Sequence, residues 1–177
     1  KTVNVYNNTA TFDNVLLKQG IPASISYTVD SIANPSYIFD IPESTVDTTT
    51  LLVTVQQSGS NAYSEIYTQS TDFSSLGGDS TVYFLQEGLD GNYEIYFGDN
   101  ALGKSLTDGN IVLISYVVTK GTAATGANNF ILLDSIASGN NVVYSLVEAT
   151  NGSAKESLDS IKYNAPRAYA AKGRAVT

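Results

Sequence analysis

Apolar residues recur at every second position in short runs along this chain, and that spacing restricts its fold more than any other feature. Ile21, Ala23, Ile25, Tyr27 and Val29 alternate with polar neighbours; so do Tyr37, Phe39 and Ile41, and then Leu51, Val53 and Val55. Successive side chains of a strand point to opposite faces, so a period of two is that of a half-buried β-strand. Turn formers cut the runs short: Asn34-Pro35, Pro42, and the Ser/Gly/Asn cluster from Ser58 to Asn61. Val3 and Val5 predict a short opening strand, Phe12 to Leu17 is a further apolar segment, Tyr63 to Thr68 predicts a strand and Ser70 to Ser80 a loop. In the centre, Val82 to Glu87 and Tyr93 to Phe97 flank Asp90-Gly91, a strong hairpin signal. The loop from Gly98 to Gly109 leads into Ile111 to Val118, whose near-continuous apolarity predicts a central strand buried on both faces. Gly121 to Asn129 reads as loop, Asn141 to Val147 as a final strand, with another over Phe130 to Ile136. The predicted class is mainly β: a β-sandwich-like module with a short helical C-terminal segment.

The last part of the chain changes character. Ser153-Ala154-Lys155-Glu156 has capping-box spacing, in which a serine hydroxyl and a glutamate carboxylate satisfy the orphan amides of a helix start. Leu158 and Ile161 then share a helical face, and Pro166 ends that helix or opens a second one that Gly173 terminates. The division expected is a β-rich module over residues 1–152 and a helical connector over 153–177. Leu158, Ile161, Tyr163, Pro166, Arg167 and Arg174 are its assembly residues. Met is absent and Thr177 is a helix cap with nothing after it; both suggest a piece of a longer polypeptide whose next domain follows.

Composition removes whole classes of chemistry. Cys and His are absent, which excludes disulfides, thiolate nucleophiles, sulfur-built zinc sites and the usual histidine-dependent triads. The formal net charge is −8, and it is unevenly spread. Between Lys18 and Lys104 there are eleven acids and no Lys or Arg, whereas five cations face two acids from Ser153 onward. An acidic body repels phosphate backbones and anionic lipid, so neither nucleic acid nor membrane is expected as a partner. No apolar run approaches the roughly 20 residues needed to cross a bilayer.

One motif has a catalytic look. Gly98-Asp99-Asn100-Ala101-Leu102-Gly103-Lys104-Ser105 fits the phosphate-loop pattern and follows a strand. Phosphate binding requires a helix to start at the Lys-Ser, and a second strand arrives too soon for one. The loop is therefore read as structural, with Gly98, Asp99, Asn100, Gly103 and Lys104 as its working residues. Asp90-Gly91-Asn92 and Asp108-Gly109-Asn110 hint at calcium but lack the ligand number and the bidentate Glu of a proper loop, and Asx-type turns account for them. Acid pairs suited to glycoside hydrolysis are inevitable in so acidic a chain, and nothing singles one out. Twelve tyrosines suggest a sugar-stacking platform, although strand tyrosines more often cover a core or an interface. Asn7-Asn8-Thr9 and Asn151-Gly152-Ser153 match glycosylation acceptors, relevant only to a secreted eukaryotic protein. No catalytic residue, cofactor or metal is assigned.

Several segments, in order, resemble a known family. Tyr93 to Lys104, with Phe97-Gly98-Asp99 and Gly103-Lys104, resembles the FGDG…G(K/R) signature of the baseplate J-like and T-even-like baseplate wedge proteins. Asp108-Gly109-Asn110, the apolar strand through Tyr116 and Gly121 to Asn129 continue the resemblance. Upstream, Phe39-Asp40-Ile41-Pro42 and Val46 to Leu51 are similar to the family's IP…vDtstL stretch; downstream, Ser157 to Arg167 and Gly173 to Thr177 are similar to its closing segment. Asn100 stands where the family has a second glycine, and Asn tolerates positive φ better than most residues. The resemblance implies a non-enzymatic structural subunit of a contractile-tail baseplate, located in the virion. Its implied partners are copies of itself and neighbouring wedge proteins. The rival readings are a carbohydrate-binding or adhesin-type β module and a β-fold glycosidase.

Overall fold

The computed structural model describes residues 2–4, 9–88, 90–134, 141–154 and 156–171. Among these described residues there are nine strands, one 3-10 turn and one α-helix: β1 (Thr2–Asn4), β2 (Thr9–Thr11), β3 (Ile21–Thr28), β4 (Ile38–Ile41), β5 (Val46–Ser58), β6 (Asn61–Gln69), β7 (Val82–Glu87), β8 (Tyr93–Phe97), β9 (Ile111–Val118), the turn at Gly121–Ala124, and α1 (Leu158–Ala171). The chain is mainly β with a C-terminal helix. It falls into two compact units, residues 19–119 and residues 1–18 with 120–177. The larger unit thus closes at the end of β9, well before residue 152.

The larger unit is one seven-stranded sheet in the order β3-β9-β5-β6-β7-β8-β4. Two sections are visible in its register. β3, β9, β5 and β6 pair antiparallel over long stretches, as do β7, β8 and β4. A short parallel pairing of Thr68 and Gln69 with Val82 and Tyr83 joins them. The sections fold onto one core, and side chains draw the two end strands together: the Tyr27 hydroxyl of β3 donates to the Asp40 carbonyl of β4 at 2.6 Å, and the Tyr27 and Phe39 rings lie 5.3 Å apart. The sheet is in this way nearly closed, and the sandwich-like expectation holds.

The alternation read from the sequence is what fills that core. Phe39 and Ile41, Val53 and Val55, Val112, Ile114 and Tyr116 all point inward. Phe39 packs edge-on against Phe97, which packs edge-on against Tyr67, so one aromatic row ties β4 to β8 and β6. Such edge-to-face pairs are worth about 1 kcal/mol each beyond burial. The outer face of β7 has its own cover: Phe73, from the loop after β6, stacks on Phe84, which stacks on Tyr96.

Four expectations are corrected. β9 is central in hydrogen bonding but buried on one face: Val112, Ile114 and Tyr116 are inside, while Leu113 on the opposite face is 40% exposed. Asn141 to Val147 carries no strand, nor do the described residues of 130–136, because their backbones meet no strand edge and alternation alone cannot supply a partner. The helix cap is four residues later than the capping box suggests. Ser157 Oγ accepts from the Ser160 amide, and Glu156 Oε1 accepts from Ser160 Oγ and Asn164 Nδ2. Pro166 neither ends nor starts a helix; it sits inside α1, where its missing N–H costs one intrahelical bond. Val5, Gly173 and Arg174 lie outside the described residues.

Among its described residues the smaller unit has little regular structure. β1 and β2 form a two-stranded ladder, and residues 126–127 bond to Ala149 in both directions. The apolar segment Phe12 to Leu17 lies beyond β2, with Leu16 81% exposed.

Candidate functional site

The Gly98 to Ser105 loop leaves β8 with no helix behind it. Its backbone is held from within. The Asp99 carboxylate turns back and accepts from the Ala101 and Leu102 amides, which holds its pKa below the ordinary aspartate value, the Leu102 bond first. Asn100 takes φ 68°, as its side chain permits; its amide donates to the Gly103 carbonyl and its Oδ1 accepts from the Ser105 amide. The Gly103 amide donates to the Gly77 carbonyl and the Lys104 amide to the Ser80 carbonyl. All six amides from Asn100 to Ser105 therefore have protein acceptors. A phosphate cradle needs those same amides free and convergent. In this arrangement they are neither.

Both glycines are required, for different reasons. At Gly98 a Cβ would stand 2.2 Å from the Gly103 carbonyl oxygen, so a close approach excludes a side chain there, not a positive φ. Gly103 has φ 92°, and its Cβ would meet the Val82 side chain at 2.9 Å. Gly78, on the neighbouring loop, is pressed against the Asn100 carbonyl in the same way. The Ser70 to Ser80 loop is thus part of this site, a contact that no local motif signals.

Lys104 does not reach for a ligand. Its ammonium forms an ion pair with Glu65 of β6, and that hydrogen bond, before any other influence, raises the lysine pKa. The pair is partly open to solvent and contributes roughly 0–1 kcal/mol. Around it is a cleft of about 240 Å³ bordered by Tyr63, Glu65, Tyr67, Lys104, Thr107 and Asn110. Burial raises the Tyr67 pKa while Lys104 opposes the rise. Asn110 is buried and fully engaged: Oδ1 accepts from the amide and hydroxyl of Thr107, and Nδ2 donates to the Gln57 carbonyl.

The two calcium-like tripeptides are turns. Asp90 accepts from the amide and the side-chain amide of Asn92, and Asp108 clamps the Ser31 amide and hydroxyl at 2.8 Å each. Among the described residues no group of three or more potential His, Cys, Asp or Glu metal ligands converges. Of the helical residues, Leu158 and Tyr163 are 73% and 62% exposed, Ile161 is less so, and the Arg167 guanidinium lies 4.0 Å from the Tyr163 ring centre. No described helix is long and apolar enough to cross a membrane.

No family model matches the chain. Over 75 aligned residues it is 29% identical to baseplate wedge protein gp6 of Enterobacteria phage T4, an alignment covering 34% of this chain and 11% of that protein. The chain thus spans a small part of the length of that relative. Among solved structures it is similar to a group B streptococcus pilus 2b backbone protein, with 21% identity over 63% of this chain and 43% of that one and a TM-score of 0.34.

Proposed function

We propose that this chain is a non-enzymatic structural part of a phage tail baseplate, a β module with a helical connector that assembles with wedge proteins and with further copies of itself. The similarity to a baseplate wedge protein carries the reading. The state of the phosphate-loop look-alike supports it, since the amides and the lysine that would serve a nucleotide are committed to bonds within the loop, to the Ser70 to Ser80 loop and to Glu65 of β6. Its place is the virion rather than a membrane or a nucleic acid, in keeping with the acidic body. Co-expression with the other wedge proteins of the same phage tests it: a complex that survives size exclusion is expected. A chain that elutes alone from every wedge protein overturns the reading.

A sugar-binding module is the second reading, favoured by Tyr63, 64% exposed beside the cleft. Binding on a glycan array that Tyr63→Ala abolishes would favour it.

A further inference from the structure

Two features of the chain each lack a partner of the same kind. The first is the outer edge of β6. From Ala62 to Tyr67 this strand has β5 on one side and, among the described residues, no strand on the other; β7 joins only at Thr68 and Gln69. The Tyr63 amide is taken by Asn61 Oδ1, and on the outward face of the strand Ala62, Ser64 and Ile66 are exposed, Ile66 by 61%. The edge has no Pro, and its one charge, Glu65, is paired by Lys104.

The second feature is Val142 to Val147. It is made almost wholly of strand-forming apolar residues and carries no charge, yet no strand forms there, and Tyr144, Leu146 and Val147 are each 74% exposed or more. A run of this length with strand-forming residues, no charge and no Pro is the kind of segment that adds to an open edge.

We propose that Val142–Val147 of one copy pairs along the outer edge of β6 of a second copy, as an added strand. Added there, the Val142, Tyr144 and Leu146 side of the segment extends the exposed apolar row that the register lays across the sheet from Leu113, by way of Thr54, to Ile66. Charge favours this pairing over body on body. Residues 19–119 hold one cation, Lys104, against twelve acids, a formal −11, so two such bodies repel. The unit that carries Val142–Val147 has eight cations and five acids, a formal +3. Opposite net charges draw the two kinds of unit together, so the contact is head-to-tail, and repetition gives a ring where the rotation closes and an open chain where it does not. This inference deepens the assembly reading above, while its test needs no other baseplate protein, so each can fail alone.

The chain has no cysteine, which makes the test clean. Full-length Ser64→Cys and Ser145→Cys proteins are mixed and treated with a short bismaleimide, and wild type is followed by sedimentation over a range of concentrations. A cross-linked pair containing one of each variant is expected, with wild type forming species heavier than a monomer. Ile66→Lys and Tyr144→Asp, both at exposed positions, should weaken self-association at least about tenfold with unchanged melting temperatures. Wild type that stays monomeric overturns the proposal. So does association that survives both substitutions, or a Ser64→Cys/Ser145→Cys double variant that cross-links only within one chain.

Discussion

The two compact units use similar residues in opposite ways. In residues 19–119, Ile41, Ile95 and Ile114 are wholly buried, and the loops between strands spend their amides on carbonyls and side chains. In residues 120–177, Ile131 and Leu133 are 88% and 92% exposed, and the regular structure among the described residues is one 3-10 turn and one helix. They differ in charge, yet the supply of strand formers does not by itself separate them, since both contain Val, Ile, Leu and Tyr in number. What differs is whether each strand-like run finds an edge. The first unit pairs its strands with one another into a nearly closed sheet; the second displays apolar surface of the sort that marks an interaction site.

The sharpest way to break this comparison is one substitution in each unit. Ile114→Ala should cost about 3 kcal/mol in urea denaturation, the loss of a buried side chain plus the cavity it leaves. Ile131→Ala should stay within about 0.5 kcal/mol. Equal losses would mean that the second unit has a core of its own.

Glycines give the next contrast. Gly98→Val should destabilise by about 1–3 kcal/mol, because the new side chain must displace the Gly103 carbonyl. Gly126 has φ 86° and open space around it, so Gly126→Ala should cost only the backbone strain, about 1 kcal/mol. Thermal melts of both variants check the order.

Deleting residues from Ser153 onward should leave the cooperative unfolding of the β unit in place, with a change of less than about 1 kcal/mol. A truncated chain without a cooperative transition would show that the helix belongs to the core and is no connector.

The smallest effect is one of pH. Asp99 is held down by two backbone amides, Glu156 by the Ser160 hydroxyl and the Asn164 amide. A carboxyl depressed in the folded state stabilises it above the unfolded pKa, and protonation removes that contribution as pH falls through the folded value. Both contributions should therefore be intact at neutral pH and fade in acid, below the ordinary values of 3.8 and 4.5. Asp99→Asn should flatten the acid limb of hydrogen exchange in the 98–105 loop and leave α1 unchanged; Glu156→Gln should do the reverse.

Local pattern alone determined the strands from β3 to β9, their inward residues and the turns between them, because side-chain period and turn chemistry act over a few residues. It also exposed the phosphate-loop likeness as a loop between strands, since eight residues after Gly103 the chain is already extended again. Tertiary structure decided the rest. That β9 lies between β3 and β5, that β7 runs parallel beside β6, and that the Ser70 to Ser80 loop supplies acceptors to Gly103 and Lys104 are matters of long-range register. So is the pairing of Lys104 with Glu65, 39 residues earlier. The same rule explains the failures. Val142 to Val147 has a strand's pattern and no strand, Ser153 to Glu156 has a cap's spacing and caps nothing, and Pro166 is carried inside a helix. A strand exists only where a second backbone meets its hydrogen bonds, and no periodicity within one segment can provide that second backbone.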